Sequence, residues 1–478
     1  MSKINKIFVL LITAALLFGC SDKSEAQTET TVTETVEITT ETETTPLDAL
    51  KGLDFDGASF RVKYNKLFEA DVYRESFLLN AEEINGEILN DTVFERNTKA
   101  EELLNINLEF SPYGSVKDLN KSIMAGANEF DMIQFGSAWD NAVPLISEGA
   151  LYNILDLPYM QLNESYFYGD ITERFIINDR LYFAFSQYNN AGSLPLYMLF
   201  NKNLMEDMAI DLPYDNIFDG KWTWDRFLDT IKDSAADLDG NGKLDENDRF
   251  GYLNLEALTN YFVWGFDIDV TERTNDGSYI PNLHNERLVS GIQKIVDFIA
   301  YNDDILHTSN FMEGRHYFME GRVLFSTVGT GAMQPRDIES FDFGVAPLPK
   351  YDETQENYYC FLGLNHFAVP VTIQDTELTG ATLEALAYLS EQILKPAYIE
   401  IYHENKILRD QKSAEVALLL MDSICTDITR YYDFANGKIS PVYMLLEIKD
   451  PSTVVSTLAS IEESAMVKAE KFFSVFFD

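Results

Sequence analysis

Apolar and polar residues alternate along Ser59-Phe60-Arg61-Val62-Lys63-Tyr64, a period of two that predicts a strand. From Ile84 to Leu104 the period changes to that of a helix, with Ile88, Val93, Ala100, Leu103 and Leu104 on the apolar stripe. Alternation returns over Ile106–Phe110, and a third strand is predicted at Asp131–Phe135, closed by Gly136-Ser137. Strand, helix, strand, helix, strand is the order of a parallel α/β sheet. Further strands are predicted at Leu181–Phe185 and Pro195–Phe200, separated by the polar loop Ser186–Ser193, and at Val323–Val328, Phe341–Ala346 and Phe367–Pro370. Helices are predicted at Trp224–Ser234, Asn285–Tyr301 and Leu378–Leu394, and the chain reads as mainly helical from Pro396 onward. No internal repeat interrupts this series.

The first residues follow a different pattern. Lys3 and Lys6 precede an apolar run, Ile7–Phe18, that is too short to cross a bilayer as a stable helix. It ends in Leu17-Phe18-Gly19-Cys20, the order of a bacterial lipobox, so residues 1–19 read as a lipoprotein signal peptide and Cys20 as the lipidated residue. No later segment is apolar for long enough to span a membrane, so the expected attachment is a lipid anchor on the extracytoplasmic face of the cell membrane. Thr28–Thr45 is almost entirely Thr and Glu, which cannot bury apolar surface and repels itself, so residues 20–52 are expected to form a disordered tether.

Behind the tether lie about 425 residues, too many for one core, and two lobes are expected. The formal net charge of −42 argues against nucleic acid and anionic lipid as partners. Cys360 and Cys425 could pair or stay free. Large exported domains are held by their cores, which favours the free form.

One segment has the spacing of a metal loop. Asp237, Asp239 and Asn241 fall at positions 1, 3 and 5 of an EF-hand-type pattern, Gly242 at 6, the Lys243 carbonyl at 7, Asp245 at 9 and Asp248 at 12. Alternating hard oxygen ligands around a glycine turn point to a structural Ca²⁺. Position 12 is Asp where the pattern prefers the longer Glu, and Leu244 at position 8 is expected to anchor the loop in the core. Just upstream, Gly220-Lys-Trp-Thr-Trp-Asp225 precedes a helix that Thr223 or Asp225 can cap; Trp222 and Trp224 are expected to pack as core, the alternative being that one lines a cleft.

Several passages, in order, resemble the extracellular solute-binding lipoproteins of ABC importers, of the family 1 carbohydrate-binding type. They are Asn128–Ile133, Gly149–Leu155, Leu199–Leu204, Gly220–Asp225, the acidic loop running into Asn247–Gly251, Phe343–Tyr351 and Lys395–Glu400. The resemblance implies an α/β fold of two lobes joined by hinge strands, the class II periplasmic-binding-protein plan. Residues 53–188 with 363–405 would form lobe 1, and 189–362 with 406–478 lobe 2. It also implies a monomeric receptor that captures a sugar or oligosaccharide between the lobes and delivers it to ABC permease subunits. Ligands of open α/β sheets sit beyond the carboxyl ends of the strands, and sugars need flat rings and planar polar groups. Those criteria select Trp139, Asp140, Gln187, Tyr188, Asn189, Trp264, Thr330 and Asn365. A secreted carbohydrate-active enzyme and a calcium-stabilised surface adhesion protein remain the alternatives. No G-x-S-x-G, H-E-x-x-H or P-loop pattern occurs to favour an enzyme.

Overall fold

A computed structural model describes residues 45–66, 79–136, 142–191, 193, 195–327, 338–403, 410–435 and 437–477. In the first sheet β1 (Ala58–Asn65), β2 (Ile106–Tyr113) and β3 (Met132–Phe135) run parallel, joined by the helices Ile88–Leu104 and Val116–Met124. The alternation of β1 buries Phe60 and Val62, and β2 lies beside it in register from Ala58↔Ile106 to Asn65↔Tyr113. The helix Ile88–Leu104 stops at Asn105, whose left-handed backbone (φ 51°) turns the chain into β2. Two more strands complete this sheet: β4 (Ala184–Phe185) and the much later β13 (His366–Ala368), in the order β2-β1-β3-β13-β4.

The second sheet has the order β11-β5-β10-β6-β9, from β5 (Met198–Asn201), β6 (Phe250–Leu255), β9 (Ile305–Thr308), β10 (Val323–Ser326) and β11 (Phe343–Ala346). β6 and β9 were not expected from the pattern. All six residues of β6 are buried, so it lacks the alternation that marks a half-exposed strand. Two two-stranded ribbons lie outside the sheets: β7 (Thr271–Arg273) with β8 (Tyr279–Pro281), and β12 (Cys360–Phe361) with β14 (Ile424–Cys425). The predicted helix Leu378–Leu394 runs from Thr376 to Leu389, passes through a wider π turn at Ser390–Leu394 and continues to His403.

The connections between the sheets position the site. Residues 186–197 carry the chain from the end of β4 to the start of β5. Because β5 is antiparallel to β10, with Leu199 opposite Ser326, it starts beside the carboxyl end of β10. Residues 347–365 return from β11 to β13, whose first residue, His366, lies opposite Phe135, the last residue of β3. Both connections therefore join the carboxyl edges of the parallel strands, the edges at which such sheets bind ligands. This is the class II plan that the resemblance implied.

Candidate functional site

The two connections are fastened to each other. The Asn190 amide donates to the carbonyls of Ser186 (2.9 Å) and Asn365 (2.9 Å) and lies 2.8 Å from Asn189 Oδ1. Its own Oδ1 accepts from the Asn365 N–H (2.8 Å), and Asn365 Nδ2 donates to the Asn189 carbonyl (3.0 Å). Gln187 lies in the same turn, its N–H on the Tyr166 carbonyl (2.8 Å) and its side chain hydrogen-bonded to the Tyr168 hydroxyl.

Tyr188 is held from the other side by Arg96. The guanidinium lies 4.6 Å from the Tyr188 ring centre and donates to the carbonyls of Tyr188 (3.0 Å) and Leu79 (2.7 Å) and to Asn97 Oδ1. Arg96 is fully buried, and none of these partners is a carboxylate. Burial pulls its pKa down to about 10. Its donors are engaged with neutral acceptors, so its role is to position the 188–190 turn.

The edge thus holds predicted residues in a defined state. Gln187, Tyr188, Asn189 and Asn365 are all buried and brought together at the first sheet. Among the described residues, Tyr188 Oη and Asn189 Nδ2 have no hydrogen-bond partner. Two neighbours that the sequence reading did not select share this state. Gln134, on β3, donates to the carbonyls of Phe135 and His366 while its Oε1 has no partner. His366 has neither ring nitrogen bonded among the described residues and is stacked on Phe135 (5.0 Å) among Phe183, Phe185 and Tyr431. Burial drives its pKa down to about 3, so the ring is neutral. A polar residue inside the run Met-Ile-Gln-Phe was the available signal for Gln134.

Trp264 belongs to the second sheet's side, in the helix Tyr261–Gly265. It is 5% exposed, stacks on Phe361 of β12 and donates its indole N–H to Asp427 Oδ2 (2.9 Å). Asp427 also accepts from the N–H and hydroxyl of Thr429 (both 2.7 Å), and burial raises its pKa. Trp222 and Trp224 are buried core, as expected, the latter edge-to-face with Phe262, Phe266 and Phe298. Cys360 and Cys425 are both free. Cys360 is paired with Ile424, so alternation places the neighbouring Cys425 on the opposite face of the ribbon. Trp139, Asp140, Thr330 and Cys20 lie outside the described residues.

The acidic loop Asp237–Asp248 is closed by a bridge between Ala236 and Arg249 and leads straight into β6. Carboxylate oxygens of Asp237, Asp239 and Asp248 lie within 4.8 Å of one another. Asp237 accepts from the N–H groups of Gly240 (2.6 Å) and Gly242 (2.8 Å), the latter holding its carboxyl below the usual range. The buried Asp248 accepts from Leu238 N–H (2.7 Å) and Asp245 N–H (2.9 Å). Asn241 Nδ2 bridges Asp239 and Asp245, and its Oδ1 accepts from Lys243 N–H. Gly242 has φ +81°, which a Cβ would strain. The donor set is all hard oxygen and suits a hard divalent cation. The expected anchoring by Leu244 is corrected: its side chain is 45% exposed, because the loop is held by Asp248 and its closing bridge.

Two α/β sheets whose carboxyl edges face the connections between them, with neutral amide, phenol and imidazole groups gathered there, define a protein built to hold a polar solute. The chain belongs to the bacterial extracellular solute-binding proteins, whose family model matches residues 94–397. Comparison with curated proteins found no match. Among solved structures it is similar to a cyclo/maltodextrin-binding protein complexed with maltotetraose. That pair has 14% identity over 85% of this chain and 97% of the other, with a TM-score of 0.54. It is also similar to UspC of M. tuberculosis, at 13% identity over 86% and 100% of the two chains, with a TM-score of 0.53. At these identities the likeness is one of fold.

Proposed function

We propose that this solute-binding protein captures a sugar or oligosaccharide between its two lobes and passes it to an ABC permease. The observation that carries the reading is the chemistry of the connecting edge. Its unpartnered buried groups, on Gln134, Tyr188, Asn189 and His366, are neutral donors and acceptors set among aromatic rings. Such groups match ligand hydroxyls and provide no counter-charge for an amino acid's ammonium or carboxylate. The cyclo/maltodextrin-binding protein of like fold agrees with this choice of ligand class. Closure about the two connections is a hinge motion. A lipid on Cys20 would keep the receptor at the membrane beside its permease.

In the same reading Ca²⁺ is a structural clip, held by Asp237, Asp239, Asn241, the Lys243 carbonyl, Asp245 and Asp248. The ion would neutralise a run of carboxylates at the entrance to β6, the strand next to β10 at the centre of the second sheet.

A thermal-shift screen of the purified protein against glycans, amino acids and short peptides tests the ligand class. Stabilisation by glycans alone is expected. Stabilisation by amino acids or peptides with none by glycans rejects it.

A further inference from the structure

We propose that Asn260 is a specificity-determining contact on the second sheet's side of the site, and that it recognises two adjacent hydroxyls of the ligand. The inference rests on the carbohydrate reading above and deepens it.

Asn260 stands five residues beyond β6, at the carboxyl edge of the second sheet, and is 2% exposed. Among the described residues its side chain makes no hydrogen bond: both Oδ1 and Nδ2 are buried and unpartnered. Its neighbours are not in this state. Thr259 donates to Asn254 Oδ1 (2.8 Å), and Asn254 Nδ2 lies 3.3 Å from His307 Nδ1. Nor is a local role available. Asn260 directly precedes the helix Tyr261–Gly265, where asparagine ordinarily caps the first N–H groups. Asn201, Asn285 and Asn310 do so at their helices. Asn260 already has helical backbone angles (φ −62°, ψ −18°) and does not cap.

A buried amide left wholly unpaired is costly, and such a group in a native fold calls for an explanation. Its position supplies one. The helix it precedes packs on the connection between the sheets, with Tyr261 5.5 Å and Trp264 3.9 Å from Phe361, ring centre to ring centre. A free amide presents one acceptor and two donors in a plane. One ligand hydroxyl can donate to Oδ1 while its neighbour accepts from Nδ2, which is the geometry of a vicinal diol on a sugar ring. A deoxy or O-methylated ligand loses one half of that pair.

The test uses the purified wild-type protein with Asn260→Leu and Asn260→Asp. The glycan giving the largest thermal shift with wild type is titrated calorimetrically into all three. Asn260→Leu removes an unpaired amide while keeping the number and branching of the side chain's heavy atoms, so its ligand-free melting temperature should stay close to or exceed that of wild type. A merely structural asparagine would lower it. Glycan affinity should fall at least tenfold in Asn260→Leu, and also in Asn260→Asp, which keeps an acceptor and loses the donors. Affinity within twofold of wild type in both variants overturns the inference and leaves the carbohydrate reading intact. Absence of any glycan binding by wild type overturns both.

Discussion

The indole of Trp264 lies face to face on the ring of Phe361, with 3.9 Å between ring centres and 18° between planes. One residue comes from the second sheet's side and the other from the connection that leads back to the first. The indole N–H reaches a third segment at Asp427, which caps the helix Ile428–Tyr432. Replacing Trp264 by Phe keeps a ring on Phe361 but leaves one oxygen of a fully buried carboxylate without its donor. A hydrogen bond to a charged buried group contributes about 2 kcal/mol, so a loss of that order is expected in urea unfolding. A loss below about 0.5 kcal/mol would show that Asp427 is satisfied without the indole.

Asn190 is the corresponding fastener on the first sheet's side. Asn190→Ala removes the donors to Ser186 and Asn365 and strands the buried Asn365 N–H. The expected destabilisation is about 2–3 kcal/mol. Asn190→Asp keeps the acceptor for Asn365 N–H but sets a carboxylate against two carbonyls, so it should be at least as damaging. An aspartate variant as stable as wild type would mean that the donor half of this network contributes nothing.

Much of the first sheet was legible because β1 and β2 alternate, although the helix between them buries Arg96 and Asn97 together with Val93, Ala100 and Leu104. β6 was not legible, since a strand buried on both faces reads as a plain apolar run, and Phe-Gly-Tyr-Leu-Asn-Leu follows directly on an acidic loop. Position at strand ends pointed to Gln187, Tyr188, Asn189 and Asn365, which the fold buries together at one edge. It passed over Gln134, which lies inside β3 and is marked only by its polarity within an apolar run, and it could not select Asn260, whose distinguishing property is the absence of a side-chain partner, which the tertiary fold sets. The burial of Trp222 and Trp224 was readable from residue type. The exposure of Leu244 was not, because it depends on how Asp248 closes the loop.

A metal that binds only the folded chain raises the melting temperature by mass action, and EDTA should therefore lower it by several degrees. Asp237→Ala should abolish the EDTA response, and calorimetry should then detect no calcium binding. Asp248→Ala should abolish it too, and should also destabilise the protein in EDTA, because Leu238 N–H and Asp245 N–H lose their acceptor. An Asp237→Ala variant that still responds to EDTA like wild type would reject this loop as the site.

His366 should give the fold a measurable acid sensitivity. Its ring is fully buried among Phe135, Phe183, Phe185 and Tyr431, and burial lowers its pKa from 6.5 to about 3. Between those values the unfolded chain holds a proton that the native chain does not, so stability falls as pH drops below 6.5 and is fully present above it. At pH 4.5 the loss from this one group is about 2–3 kcal/mol. His366→Phe keeps an aromatic ring in the cluster and removes the proton. Urea unfolding at pH 7 and pH 4.5 should therefore show a smaller drop in the variant than in wild type, by about 2–3 kcal/mol, whatever the variant's absolute stability. Equal drops in the two proteins would mean that His366 keeps an ordinary pKa and reaches solvent or a partner in the folded state.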